Sequence, residues 1–137
     1  MARIVLIDDD HGPMDLYVRA LRESGLVVDH LDNLTEAMEH VRTTDKPADL
    51  YLIDIMMPPG DALTLEESNY GLTSGIILYQ RLRDRFPDVP VIILTSISNP
   101  EILELLPSDS NTTKEAKVEV LPFDLVQKVK ERIQVAA

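Results

Sequence analysis

Four short apolar runs, each stopping abruptly at turn-forming or polar residues, set the limits on how this chain can fold. They occupy residues 3–7, 50–53, 91–94 and 118–121. None of them alternates apolar and polar residues, a pattern typical of strands in a parallel sheet that is covered on both faces. A fifth, less apolar run at 26–31 is interrupted by Asp29 and His30, which predicts a strand at the edge of that sheet.

Between these runs, apolar residues recur at the spacing of a helix. The stripes fall at residues 14–21, 34–41, 76–86 and 123–133, and a short helix is predicted from Asn99-Pro100 to Leu105. Strands that alternate with helices in this way predict an α/β fold with a parallel sheet, helices on both faces and right-handed crossovers. A chain of 137 residues is expected to form one domain, 1–137.

Composition argues against several classes of function. The formal net charge of −11 opposes non-specific binding to nucleic acid and to anionic membranes. No apolar stretch approaches the roughly 18 residues needed to span a bilayer, and the N-terminus lacks the layout of a signal peptide, so we expect a cytoplasmic protein. The absence of cysteine removes disulfides and thiolate metal sites.

Acidic residues follow two of the predicted strands directly. Asp8 and Asp9 come after the first run, and Asp54 follows the run at 50–53. Ligands of open α/β sheets bind outside the carboxyl ends of the strands, so these three carboxylates are expected to meet in one crevice. Their mutual repulsion favours a bound cation, and Mg²⁺ is the natural candidate because it prefers carboxylate and carbonyl oxygens.

With these features the sequence resembles the receiver domain of two-component response regulators over almost its whole length. The segments that carry the resemblance are IVLIDDD at 4–10, LIDIMMP at 52–58, Gly75 before the third long helix, VIILTS at 91–96 and LPF at 121–123. The resemblance implies a flavodoxin-like, doubly wound sheet of five parallel strands in the order 2-1-3-4-5. It also implies a signalling domain rather than an enzyme, with at most self-catalysed phosphotransfer and autodephosphorylation.

Carried over by position, the family pattern makes Asp54 the phosphoacceptor. It assigns Mg²⁺ to Asp8, Asp9 and Asp54, together with the backbone carbonyl of Met56. The phosphoryl donor would be a sensor histidine kinase or a histidine phosphotransfer protein. We expect no output domain after the last helix, so signalling would occur by contact with a downstream protein, whose identity the sequence does not give. Homodimer formation is left open.

The same resemblance assigns phosphoryl binding and switching to Thr95, with Ser96 beside it, and identifies two departures. Leu121 stands before the proline where the family has a lysine, and Val118 stands where the family often has an aromatic residue. Lys117 lies four residues before Leu121, which in a strand at 118–121 is too far to replace the missing lysine.

Two other functions compete with a phosphoaccepting receiver. The departures at Leu121 and Val118, together with a long insertion at 57–74, favour a degenerate receiver that acts as a phosphorylation-independent interaction module. A haloacid-dehalogenase-like phosphatase would use Asp8-Asp9-Asp10 as its Asp-x-Asp motif and Thr95 as its second motif. That hypothesis lacks an evident motif lysine and room for a cap domain, and it leaves Asp54 without a role.

An extended loop is predicted at 57–74. It contains three acids and no lysine or arginine, and loops of this length are often functional. It is interpreted either as a partner-docking element or as a tolerated surface insertion, since long insertions change closure entropy little. The arginines at 81, 83 and 85 are interpreted as a solvated helix face.

Overall fold

The computed structural model describes residues 1–96, 100–106, 109–117 and 119–136, in which five parallel strands are each followed by a helix. The strands are β1 (Arg3–Ile7), β2 (Val27–Leu31), β3 (Leu50–Asp54), β4 (Val91–Thr95) and β5 (Thr112–Ala116). The helices are α1 (Gly12–Glu23), α2 (Leu34–Thr43), α3 (Ser74–Arg85), α4 (Pro100–Glu104) and α5 (Pro122–Ala136). No helix in the described ranges is long and apolar enough to cross a membrane.

The strands form one sheet in the order β2-β1-β3-β4-β5, with every pair parallel. The predicted fold class and strand order are therefore confirmed, and β2 lies at an edge as its interrupted sequence indicates. Ile7 of β1 is opposite Ile53 of β3, and Ile53 is opposite Ile93 of β4. The carboxyl ends of the three central strands consequently lie side by side.

Both faces of the sheet are covered, which explains why the central strands do not alternate apolar and polar residues. Ile4 and Leu6 of β1 join a core cluster with residues of α1 and α5. Val5 and Ile7 point the other way and join a cluster with residues of α2 and α3. All four side chains are fully buried, and burial of each contributes about 1.5 to 3 kcal/mol of hydrophobic stabilisation.

The apolar run at 118–121 does not form the fifth strand, and that prediction is wrong. β5 consists of Thr112–Ala116 and pairs with β4, with Thr95 opposite Ala116. As an edge strand it keeps several side chains in contact with water, so its sequence carries no apolar run. Val120 is buried in the connection to α5 instead, where its carbonyl accepts a hydrogen bond from the Tyr17 hydroxyl at 2.5 Å.

One arginine of α3 is not part of a solvated face. The side chain of Arg83 is only 13% exposed, and its guanidinium donates hydrogen bonds to the carbonyls of Val89 at 2.5 Å and Phe86 at 3.2 Å. It also bonds both carboxylate oxygens of Asp109, at 3.0 and 3.2 Å. Arg83 therefore ties the end of α3 to the turn that precedes β5.

The segment between β3 and α3 folds as a series of turns. Thr64 and Glu67 cap one another, since each side-chain oxygen accepts from the other residue's amide at 3.0 Å. Ser68 is buried, and its hydroxyl oxygen accepts from the Gly71 amide at 3.0 Å. Leu63 joins the core cluster of α2 and α3. The long loop is thus held by its own hydrogen bonds and by the core.

Candidate functional site

Three carboxylates converge where β1 and β3 end. Asp54 is the last residue of β3, and Asp8 and Asp9 directly follow β1. One oxygen from each carboxylate lies within 4.8 Å of the others. Asp8 is fully buried and Asp54 is 4% exposed, whereas Asp9 is exposed. The structure therefore brings together the three acids that the sequence predicts to meet.

Backbone groups fix the position of Asp8. The amide of Asp10 donates to Asp8 Oδ1 at 2.8 Å. His30 Nε2 lies 2.7 Å from the backbone oxygen of Asp8, and it must be the donor because a carbonyl only accepts. The other carboxylate oxygen, Asp8 Oδ2, is buried and receives no hydrogen bond from the described residues. A buried oxygen without a donor is unfavourable unless a cation satisfies it.

Lys117 supplies a positive charge to this cluster. Its Nζ lies 2.9 Å from Asp8 Oδ2, where the contact is ionic, and 3.2 Å from Asp8 Oδ1, to which it donates a hydrogen bond. The distance from Nζ to Asp54 Oδ2 is 3.9 Å. The Lys117 side chain is 10% exposed, so this charge acts where solvent screens it weakly.

The location of Lys117 corrects the expectation that a leucine has replaced a lysine at the acids. Because β5 ends at Ala116, Lys117 is the first residue beyond its carboxyl end, on the same edge of the sheet as Asp8. The argument that Lys117 is too far away depended on the misplaced strand and is wrong. Leu121 precedes α5 and is 62% exposed. Val118 lies outside the described residues.

Burial and mutual repulsion change the pKa values of the acids. Burial, with the neighbouring Asp8 adding to it, raises the pKa of Asp54 to about 7 against the opposing charge of Lys117. Burial also raises the pKa of Asp8, and the amide of Asp10 and Lys117 oppose this. Burial alone would lower the pKa of Lys117, but its hydrogen bond to Asp8 and the charges of both acids raise it. One lysine does not fully compensate the two buried acids.

The remaining predicted residues flank this cluster. Thr95 ends β4 and is half-buried, and Ser96 after it is exposed. The backbone amide of Lys117 donates to the Thr95 carbonyl at 2.8 Å. The Met56 side chain is exposed, while a hydrogen bond from the Met56 backbone favours the ionised form of Asp54. Phosphoryl binding by Thr95 and Ser96 and metal binding by the Met56 carbonyl stay predictions.

The start of α3 lies directly against the end of β3. A Cβ atom on Gly75 would lie 2.0 Å from the backbone oxygen of Asp54, so only glycine fits there. The Gly75 amide donates to the Ile55 carbonyl at 2.8 Å, and the Ser74 hydroxyl donates to the Met57 carbonyl at 2.7 Å. These contacts fix the backbone on which Asp54 is carried.

The donor set fits a hard divalent cation. Among the described residues, the acid cluster offers carboxylate oxygens without histidine or cysteine, which suits Mg²⁺ better than Zn²⁺. Burial raises the pKa values of Asp8 and Asp54 even though Lys117 opposes it, and a bound cation would favour the ionised form of both acids. Asp8, Asp9 and Asp54 could therefore hold Mg²⁺.

Comparisons with known proteins point to one family. The family model described as "Response regulator receiver domain" matches residues 4–111. The response regulator receiver protein CpdR of Brucella abortus (strain 2308) is 33% identical over 140 residues, covering 100% of each chain.

Solved structures share the fold. A CheY-like receiver domain protein from Methanospirillum hungatei JF-1 has a TM-score of 0.77 at 21% identity, covering 99% of this chain and 96% of that one. The response regulator TrrA from Thermotoga maritima was solved in complex with Mg²⁺ and BeF. Its TM-score is 0.68 at 25% identity, and the match covers 96% of this chain and 99% of that one. The matched length, the full-length relative and the fold together show that the chain belongs to the response regulator receiver domain family.

Proposed function

We propose that the chain accepts a phosphoryl group on Asp54 in a Mg²⁺-dependent reaction and signals through altered contact with other proteins. The donor would be a phosphohistidine on a histidine kinase or on a phosphotransfer protein. The observation that carries this proposal is the position of the buried Asp54 carboxylate, which shares one crevice with Asp8, Asp9 and the Lys117 ammonium.

In this reaction an ionised oxygen of Asp54 attacks phosphorus. A phosphorus–oxygen bond forms as the phosphorus–nitrogen bond to the donor histidine breaks, and the leaving imidazole recovers a proton from solvent. Lys117 Nζ is close enough to Asp54 to pair with an oxygen of the transferred group. Mg²⁺, held by Asp8, Asp9, Asp54 and the Met56 carbonyl, would neutralise negative charge on the acids and on that group.

The competing hypotheses lose their main support. The argument for a phosphorylation-independent module rested on Leu121, Val118 and the inserted loop, and its first ground is removed because Lys117 lies at the acids. The phosphatase hypothesis leaves Asp54 without a role, although Asp54 is buried within the acid cluster. The family assignment likewise favours a signalling domain over a phosphatase.

The experiment is incubation with Mg²⁺ and a small-molecule phosphodonor, followed by intact mass. We expect the wild-type chain to gain one phosphoryl group, and Asp54→Asn to gain none. Asp61→Asn removes an acid outside the acid cluster and should behave as wild type. An unmodified wild-type chain that binds Mg²⁺ normally would contradict the proposal. So would equal labelling of Asp54→Asn.

A further inference from the structure

We propose that the segment between β3 and α3 presents a docking surface for a partner protein whose own surface carries lysine or arginine side chains around an apolar pocket. The surface consists of the side chains of Leu65, Tyr70 and Leu72 with the carboxylate of Glu66, and we call it the loop patch. Five features of the described residues carry this inference: exposure, backbone conformation, internal hydrogen bonds, charge and attachment to the end of β3.

The loop patch exposes large apolar groups. Tyr70 is 71% exposed and Leu65 is 56% exposed, and Leu72 is also in contact with solvent. Their backbones lie in one tight series of turns, because the Tyr70 amide donates to the Leu65 carbonyl at 2.7 Å and the Leu72 amide donates to the Asn69 carbonyl at 3.2 Å. Several exposed large apolar groups within one short segment are typical of interaction surfaces, and tyrosine is enriched among the residues that dominate binding energy.

The backbone under Tyr70 is strained. Asn69 and Tyr70 have φ values of 50° and 58°, in the left-handed region that is unfavourable for a residue with a side chain. Glycine at position 70 would avoid this cost, yet the chain carries an aromatic residue whose ring points to solvent. The strain is therefore explained if the tyrosine side chain is needed at the surface.

The segment is also held in place before any partner arrives. The buried hydroxyl of Ser68 donates to the Thr64 carbonyl at 3.1 Å, and the Thr73 amide and hydroxyl donate to the Ser68 carbonyl at 3.0 and 3.1 Å. A surface that is already ordered loses little conformational entropy on binding. The loop patch is thus suited to docking against a preformed pocket.

Charge determines the kind of partner. Residues 57–73 contain Asp61, Glu66 and Glu67 and no lysine or arginine. A partner with basic groups around its pocket gains attraction from these acids, whereas an acidic partner is repelled. A second copy of this chain is a poor occupant, because two copies would bring together equal acidic surfaces on proteins with a net charge of −11.

The loop patch is attached to the phosphoacceptor strand. The Met57 amide donates to the Gly71 carbonyl at 3.2 Å, and Met57 lies three residues after Asp54. A change of charge at Asp54 can therefore reach the patch through a short, hydrogen-bonded connection. This control of docking rests on the proposed function, but docking itself does not, since it can be measured on unphosphorylated protein.

The test uses a random peptide library displayed on phage, selected against the folded, unphosphorylated wild-type chain. We expect the selected peptides to place lysine or arginine beside leucine, phenylalanine or tryptophan.

Synthetic versions of these peptides are then titrated against wild type and variants. Tyr70→Asn removes the ring but keeps a residue that tolerates the left-handed conformation, and it should lower affinity about tenfold or more. Glu66→Gln should lower it a few-fold, and less so in high salt.

The matched control is Leu16→Asn. Leu16 lies on α1 and is about as exposed as Leu65 of the loop patch, and its replacement should leave peptide affinity unchanged. Equal binding to wild type and Tyr70→Asn, selection of acidic peptides, or no selection at all would overturn the proposal. So would self-association of the wild-type chain that Tyr70→Asn abolishes. A chain that binds the peptides but gains no phosphoryl group on Asp54 would retain the docking surface and refute the proposed function.

Discussion

The ammonium nitrogen of Lys117 lies 2.9 Å from Asp8 Oδ2, which receives no hydrogen bond from the described residues, and 3.9 Å from Asp54 Oδ2. The lysine therefore partly neutralises the same carboxylates that would bind Mg²⁺. A fixed positive charge and a bound cation at one cluster repel one another. Lys117 should weaken metal binding while favouring the phosphorylated state.

Replacement of Lys117 by methionine should separate these two effects. We expect Lys117→Met to bind Mg²⁺ several-fold more tightly at about pH 9; a high pH is needed because removal of the lysine also raises the pKa of Asp54, and protonation of that acid competes with the metal. The rate at which Asp54 gains a phosphoryl group should be lower in this variant than in wild type. Isothermal titration with Mg²⁺ measures the first effect, and Lys114→Met, on the exposed part of β5, is the control. Unchanged Mg²⁺ affinity in Lys117→Met would contradict the electrostatic argument.

Asp54 should destabilise the metal-free protein at neutral and alkaline pH. Its folded-state pKa of about 7 lies above the ordinary value of 3.8, so the folded state binds more protons than the unfolded state between these values. Stability attributable to Asp54 is thus fully present below about pH 4 and is lost as pH rises through 7. The shift of about three units sets an upper limit of roughly 4 kcal/mol.

Asp54→Asn should accordingly raise the free energy of unfolding by about 1 to 3 kcal/mol at pH 8 without metal. Urea unfolding at several pH values, reported as the difference between wild type and mutant, isolates this contribution from other groups. Saturating Mg²⁺ should make wild type more stable to unfolding than Asp54→Asn, because the metal binds the ionised carboxylate of the folded wild type. A mutant less stable than wild type in metal-free buffer at pH 8 would refute the prediction.

Gly75→Ala should be strongly destabilising. The added methyl would lie 2.0 Å from the Asp54 backbone oxygen and 2.6 Å from Ile55 Cα, so α3 must move away from β3. We expect a loss of at least about 2 to 4 kcal/mol in urea unfolding. Gly12→Ala is the matched control, because its methyl would meet only Asp10 Oδ1 at 3.6 Å. Similar stability of the two variants would show that the α3–β3 contact is not as close as described.

Arg83→Met should destabilise the connection between α3 and β5. It keeps the apolar stem but removes the donors to the Val89 and Phe86 carbonyls and the pair with Asp109. We expect a loss of about 2 to 4 kcal/mol. Arg42→Met removes an exposed arginine paired with Glu39 on α2 and should change stability by less than about 1 kcal/mol. Equal effects in thermal unfolding would argue against a special role for Arg83.

The central part of the fold follows from the sequence because burial leaves a strong pattern. The strands β1, β3 and β4 are buried on both faces, so their apolar runs predict them. β5 could not be found in this way. Its residues, Thr112–Ala116, are polar because the strand lies at the edge, and backbone hydrogen bonds to β4 hold it. The apolar residues that follow, such as Val120, are buried by contacts with α1 that no local pattern reveals.

The candidate site was predictable where it depends on strand ends alone. Asp8 and Asp54 end central strands, so their proximity follows from a parallel sheet. Lys117 was missed because its position depends on where β5 ends, and an error of a few residues moves its side chain away from the acids. The β-branched pair Thr112-Thr113 before it was the available signal for an edge strand. The strained conformation of Tyr70 left no signal, since asparagine and glycine neighbours predict only a turn.

The hydrogen bond between the Met57 amide and the Gly71 carbonyl closes the base of the long segment between β3 and α3. Separate hydrogen bonds attach Ser74 and Gly75, at the start of α3, to the carbonyls of Met57 and Ile55. The geometry at Asp54 therefore does not depend on how many residues lie between Met57 and Gly71. This segment is therefore a natural insertion point. A different recognition loop could be grafted between Met57 and Gly71, giving the same receiver core a new binding surface while leaving the geometry of its acid cluster intact.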